Sequence, residues 1–211
     1  MPGDARRTDG PLTFLSEFVR SPVATAAIAP SSRRLGELML RGVDLSRVRT
    51  VVEYGPGTGA FTRLVLRGLG EAGNTSAKLL AVELNERQAR ALPERCEHDD
   101  RLEVVHASAT DVRALLRDQD EGGMDLVVSG LGWPSLPGRV RDTIIDETAE
   151  LLRPGGSFRT FGYHVGLLFP GAWKFRERVR ARFEAVSISP VVWGNLPPAF
   201  VYTCDAAPEG V

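Results

Sequence analysis

Apolar residues follow two rhythms along the chain. Short runs rich in Val, Leu and Ile, at 51–54, 79–83, 102–106, 124–128 and 157–163, read as strands covered on both faces. Segments 60–69, 85–95, 112–117 and 139–152 between them repeat at helical spacing. This alternation predicts an α/β fold, a Rossmann-like, mostly parallel sheet with helices on both faces. The tail breaks the rhythm. A helix over 172–183 carries Phe175, Val179 and Phe183 on one stripe, flanked by Lys174, Arg176, Arg178, Arg180 and Arg182, which read as a solvated basic rim or as cations that snorkel at a membrane. Strands over 186–193 and 199–204 follow, joined by residues 194–198, so seven strands are expected with a closing antiparallel hairpin.

The first 45 residues read as a helical segment lying over the site, and 46–205 as one compact domain. Within 12–20, Leu12, Phe14, Leu15, Phe18 and Val19 share an arc opposite Thr13, Ser16, Glu17 and Arg20. That arc has two readings, a helix packed on the core or a face that touches lipid or covers a greasy substrate. Ser21-Pro22 ends it, and Ser31 is placed to cap a helix over 32–41 with Gly42 just beyond. A frayed end is expected before residue 11.

At 211 residues the chain suffices for one domain with a full core. A net charge of -1 and a pI near 6.3 argue against a general nucleic-acid binder. Lys78 and Lys174 are the only lysines among 26 basic residues, a bias of codon composition more than of function. Cys96 and Cys204 lack metal-like spacing and read as reduced thiols of a cytoplasmic protein; no metal site is expected. No signal peptide or membrane-length apolar run is evident.

Chemistry concentrates where the first strand meets Gly55-Pro56-Gly57-Thr58-Gly59. Alternate glycines let the backbone turn sharply and approach a ligand, and the helix after them aims its free N–H groups back at it. The second strand ends on Glu83, where a carboxylate can take both hydroxyls of a ribose. The glycine spacing differs from the dinucleotide GxGxxG, which favours an adenosine cofactor other than NAD. In open α/β sheets ligands lie at the carboxyl ends of strands, so Ser108, the run 129–134 and Tyr163 join the same crevice.

Glu53-x-Gly55-Pro56-Gly57-Thr58-Gly59-x-Phe61-Thr62, followed by Glu83, resembles the cofactor signature of class I S-adenosylmethionine-dependent methyltransferases. The similarity is closest to bacterial phospholipid N-methyltransferases and ribosomal RNA adenine dimethylases. Phe14-Leu15, residues 29–32, Ser129-Gly130-Leu131, Tyr163 and residues 195–202 resemble the lipid-methylating branch. The resemblance implies S-adenosylmethionine as cofactor and S-adenosylhomocysteine as product. By position it implies that Glu53, Gly55, Pro56, Gly57, Thr58, Gly59, Glu83, Leu84, Ser108, Ala109, Ser129 and Ser31 hold the cofactor. Phe14, Phe18, Leu131, Trp133 and Tyr163 would line the acceptor pocket, and Ser129, Tyr163 and His164 would orient the acceptor. Two positions depart from the family: Ser108 stands where an acid usually meets adenine, and Leu131-Gly132-Trp133 replaces a Leu-Pro loop.

The implied reaction is direct methyl transfer to an amine such as phosphatidylethanolamine. A soluble small molecule is the alternative acceptor, and a cofactor-binding protein without methyl transfer the second alternative. An RNA acceptor is disfavoured by the charge and by the absence of an Asn-Leu-Pro-aromatic loop. With a lipid acceptor, the N-terminal helix would touch the inner membrane surface peripherally.

Overall fold

A computed structural model describes residues 33–118 and 122–208. Phe14, Phe18 and Ser31, with the predicted helix over 12–20, lie outside the described residues. The first described element is α1 (Arg33–Leu40). It leads to β1 (Thr50–Tyr54), all five residues of which are buried. Then come α2 (Ala60–Glu71), β2 (Lys78–Glu83), α3 (Glu86–Arg95), β3 (Leu102–His106), α4 (Val112–Asp118), β4 (Met124–Ser129), α5 (Gly138–Leu151), β5 (Leu152–Tyr163), α6 (Pro170–Arg182), β6 (Ala185–Ile188) and β7 (Ala199–Asp205).

The strands form one sheet in the order β3-β2-β1-β4-β5-β7-β6. The pairs from β3 to β5 are parallel; β7 runs antiparallel to both β5 and β6. Because successive strand residues face opposite sides, Val52, Tyr54, Val127 and Phe158 pack beneath α4, α5 and α6. Val51, Leu79, Leu126 and Val128 pack with α1, α2 and α3 on the other face. The chain leaves β1 toward β2 and β3, then returns on its other side as β4. The crevice between the carboxyl ends of β1 and β4 is therefore the switch point at which open α/β sheets bind ligands.

Three boundaries depart from expectation. β6 stops at Ile188 because Pro190 cannot donate to a ladder; pairing resumes as a single bridge between Val192 and Ala199. α6 begins two residues early, with Pro170 in its first turn, a position where a missing N–H costs nothing. β5 extends back to Leu152 through an irregular stretch in which Gly155 has φ 73°.

Candidate active site

The turn after β1 depends on its glycines. Gly55, Gly57 and Gly59 have φ of 65°, 54° and 81°, values that L side chains rarely adopt. A Cβ on Gly55 would lie 2.9 Å from Leu131 Cδ2, and one on Gly59 2.7 Å from Leu92 Cδ1. At Gly57 a Cβ would meet nothing within 4 Å, so that glycine borders open space. Across the crevice, Gly130 donates its N–H to the Tyr54 carbonyl at 2.8 Å, and a Cβ there would lie 2.6 Å from the Gly55 carbonyl oxygen. The tips of β1 and β4 are thus joined backbone to backbone.

Two carboxylates frame this turn. Glu83 accepts from the Gly57 N–H at 2.9 Å with one oxygen and from the Asn85 N–H at 2.8 Å with the other. The end of β2 is thereby tied to the glycine turn. Glu53 is fully buried, and neither carboxylate oxygen has a hydrogen-bond partner among the described residues. Burial pushes its carboxyl up to about 7. Thr62 lies near enough to offset part of that rise, though not in hydrogen-bonding geometry, while the Glu83 charge adds to it and Arg63 opposes it.

The remaining strand tips differ in character. Leu84 is exposed, and its carbonyl faces His106 Nε2 at 3.1 Å. Ser108 caps the short turn Ala109–Asp111, its hydroxyl accepting from the Thr110 N–H and Thr110 Oγ1; Ala109 is buried beneath it. Pro56 is buried and Thr58 exposed on the glycine turn. Ser129 is fully buried, with its hydroxyl accepting from the Leu131 N–H at 3.2 Å and its carbonyl accepting from Thr160 Oγ1 at 3.1 Å.

Trp133 is 2% exposed. Its indole N–H donates to Thr160 Oγ1 at 2.8 Å, and its ring packs on Phe158 and Phe175. The indole N–H is committed to the protein, and the ring is shared between the core and the wall of a cavity. That cavity, about 130 Å³, is lined by the 131–135 turn, residues 161–163 of β5, the turn after it, the start of α6, and Phe200 and Tyr202 of β7. Among the described residues, no Asp, Glu, Lys, Arg or His is in its lining. Tyr163 faces the cavity, and burial pushes its hydroxyl up to about 12. His164, by contrast, is exposed, outside the lining, and in tilted contact with the Trp193 ring, centroids 5.4 Å apart.

Leu131 belongs to both regions: it packs on Gly55 and it lines the cavity. The predicted residues therefore separate into a cofactor-like crevice (Glu53 to Gly59, Glu83, Ser108) and an apolar chamber (Leu131, Trp133, Tyr163). Sequence reasoning missed Phe161, Phe169, Phe175, Phe200 and Tyr202 in the chamber. One signal was Gly162 inside a strand, because a Cβ there would lie 3.0 Å from the Phe200 ring on the neighbouring strand.

A seven-stranded sheet of this order, with a glycine turn and two acids at the switch point, defines the class I S-adenosylmethionine-dependent methyltransferase architecture. Residues 51–156 match the family model described as a methyltransferase domain, and the chain belongs to that family; it is an S-adenosylmethionine-dependent methyltransferase. It is 28% identical over 198 residues to an ornithine lipid N-methyltransferase of Singulisphaera acidiphila, covering 93% of this chain and 96% of that one. Its fold is similar to that of an O-methyltransferase from Bacillus cereus solved in complex with S-adenosylhomocysteine (TM-score 0.67, 19% identity, 97% of this chain and 92% of that chain). It is likewise similar to the O-methyltransferase TomG of Streptomyces achromogenes, involved in tomaymycin synthesis and solved with S-adenosylmethionine (TM-score 0.67, 17% identity, 98% and 92%).

Proposed function

We propose that the protein transfers methyl groups to the amine of a lipid head group, with the glycine crevice holding the cofactor and the apolar chamber receiving the amine. The observation that carries this reading is the chamber lining: aromatic and aliphatic walls with no charged side chain among the described residues. Such walls take up and dehydrate an amine on its methylene arm and leave the anionic part of the acceptor outside at the mouth, the arrangement in which a lipid presents its head group. The relationship to an ornithine lipid N-methyltransferase, over nearly the whole of both chains, supports the same choice.

Residues of the crevice fit S-adenosylmethionine. Glu53 is a buried carboxylate with both oxygens unpartnered, suited to a cationic ligand, and Gly57 borders open space. Glu83, already oriented by two amide N–H groups, keeps lone pairs for ribose hydroxyls. Pro56, Thr58, Gly59, Leu84, Ser108 and Ala109 complete the outline of this side. Once bound, the cofactor supplies a methyl group on a sulfonium that is already activated, so the protein's part is alignment and exclusion of water.

An amine attacks only when neutral. The chamber favours that form by desolvation, which lowers the pKa of an ammonium. Tyr163, held at about 12, stays a phenol at neutral pH and orients the acceptor without taking its proton. Ser129 acts one step back, holding the 131–135 turn through the Leu131 N–H.

The test is a labelling assay with methyl-labelled S-adenosylmethionine on micelles of ornithine lipid or phosphatidylethanolamine, beside a panel of soluble amines. Label in the lipid fraction is expected. Label confined to water-soluble amines would assign a small-molecule acceptor instead, and binding without any methylated product would leave a cofactor-binding protein.

A further inference from the structure

Six large apolar side chains are prominently exposed among the described residues, and four of them, Leu168, Trp173, Trp193 and Leu196, sit on segments around the chamber. They are 80%, 52%, 69% and 60% exposed. Contacts tie them into two pairs, and the short turn His164–Leu168 joins the pairs. Trp173 Nε1 donates to the carbonyl of Leu167, a chamber-lining residue next to Leu168, at 2.9 Å. Trp193 lies in tilted contact with His164, whose backbone N–H donates to the Pro198 carbonyl at 2.7 Å, two residues from Leu196. Exposed apolar side chains scattered singly need no explanation; gathered at the mouth of a site, they do.

Charge points to what covers the patch. On α6, Arg178 and Arg182 pair with Asp146 and Glu150 of α5 and are neutralised. Lys174, Arg176 and Arg180 form no ion pair among the described residues, and they share the arc of Trp173 with a single acid, Glu177. Arg176 lies over the Trp173 ring, 5.9 Å from its centroid. The whole chain carries a net charge of -1, so this basic arc is local. Tryptophan beside unpaired base is the composition that settles at the head-group level of a bilayer, the indole between water and hydrocarbon and the cations among lipid phosphates.

We infer that the Leu168, Trp173, Trp193 and Leu196 patch docks on the surface of an anionic lipid bilayer and holds the chamber mouth against the head groups. No helix among the described residues is long and apolar enough to cross a membrane, so the contact is peripheral. This inference rests on the lipid-acceptor reading for its purpose, but it is tested without turnover.

The full chain is mixed with vesicles of phosphatidylcholine alone or with phosphatidylglycerol, and bound protein is measured by sedimentation. Binding is expected only with phosphatidylglycerol present. Lys174→Gln with Arg180→Gln should weaken it roughly thirtyfold, the factor for two cations near an anionic surface. Trp173→Ser with Trp193→Ser should weaken it about tenfold or more. Brominated acyl chains should quench the fluorescence of the native protein and leave that of the Trp173→Phe, Trp193→Phe variant unchanged, since its remaining Trp133 is buried. Unchanged melting temperatures verify that these surface variants fold. Equal vesicle binding by the serine variant and native protein overturns the inference. So does absence of quenching, as when a second copy of the chain or residues 1–32 occupy the patch. Vesicle binding without methylation of any lipid would sustain the docking surface and overturn the lipid acceptor.

Discussion

At the tips of β1 and β2 the crevice is made of backbone and carboxylates: three glycines at positive φ, Glu83 gripping two amide N–H groups, and Glu53 buried without a partner. At the tips of β4, β5 and β7 the chamber is made of rings, and its one site-facing polar group predicted from sequence is a phenol held neutral. On the proposed reading, the difference follows from what each region must do. Backbone N–H groups and fixed charges recognise one constant ligand with directional bonds. Apolar walls recognise by shape and dryness, so they govern which acceptor enters and in which protonation state.

The comparison breaks most sharply at Glu83. Glu83→Ala leaves the Gly57 and Asn85 N–H groups without their acceptor and removes the carboxylate from the crevice. S-adenosylmethionine affinity is expected to fall roughly a hundredfold or more by calorimetry, from the combined loss of charge-assisted hydrogen bonds. A fall of less than about threefold would show that recognition does not depend on this acid.

Glu53 sharpens the comparison through pH. Its carboxyl titrates at about 7 when folded, against an ordinary 4.5, so between those values the folded chain binds more protons than the unfolded one. Stability without cofactor therefore falls as pH rises from about 4.5 to 7 and levels off above, by about 3 kcal/mol in all. Glu53→Gln should abolish that slope in melting curves and raise stability at pH 8, while weakening binding of the cationic cofactor more than that of neutral S-adenosylhomocysteine. A slope unchanged in the variant would place the titrating group elsewhere.

The smallest effect belongs to the chamber. Tyr163→Phe is expected to lower kcat only about threefold to tenfold, the effect of one neutral hydrogen bond, and to leave the pH profile of kcat unmoved. Loss of an ionisation from that profile would make the phenol a base and contradict the neutral chamber.

The crevice was legible in the sequence because its determinants are local. Val51 to Gly59 carries strand, turn and helix start within a few residues, and Glu83 closes the next strand. The chamber was not, because it gathers residues 131–135, 161–175 and 200–202, each of which reads by itself as core. Trp133 illustrates the point. Its exposure to an acceptor can be imagined from its place at a strand tip, yet the indole N–H is taken by Thr160, a partner 27 residues on. His164 shows the reverse: a strand-end histidine looks catalytic, but the antiparallel start of β7 draws its backbone to Pro198 and leaves the ring outside against Trp193. Antiparallel pairing between β5 and β7 is a long-range event that no local pattern specifies.

Leu131 stands with one side against Gly55 and the other in the chamber, on a turn whose neighbour Gly130 is pressed to the Gly55 carbonyl. With the cofactor in the crevice and the amine in the chamber, as proposed, the partition between donor and acceptor is a single aliphatic side chain on a rigid mount. On that reading its length would set how far the two compartments stand apart, and its greasiness would keep water from short-circuiting them. Evolution could retune this enzyme's reach toward a bulkier or slimmer nucleophile by editing that one doorpost while leaving the frame intact.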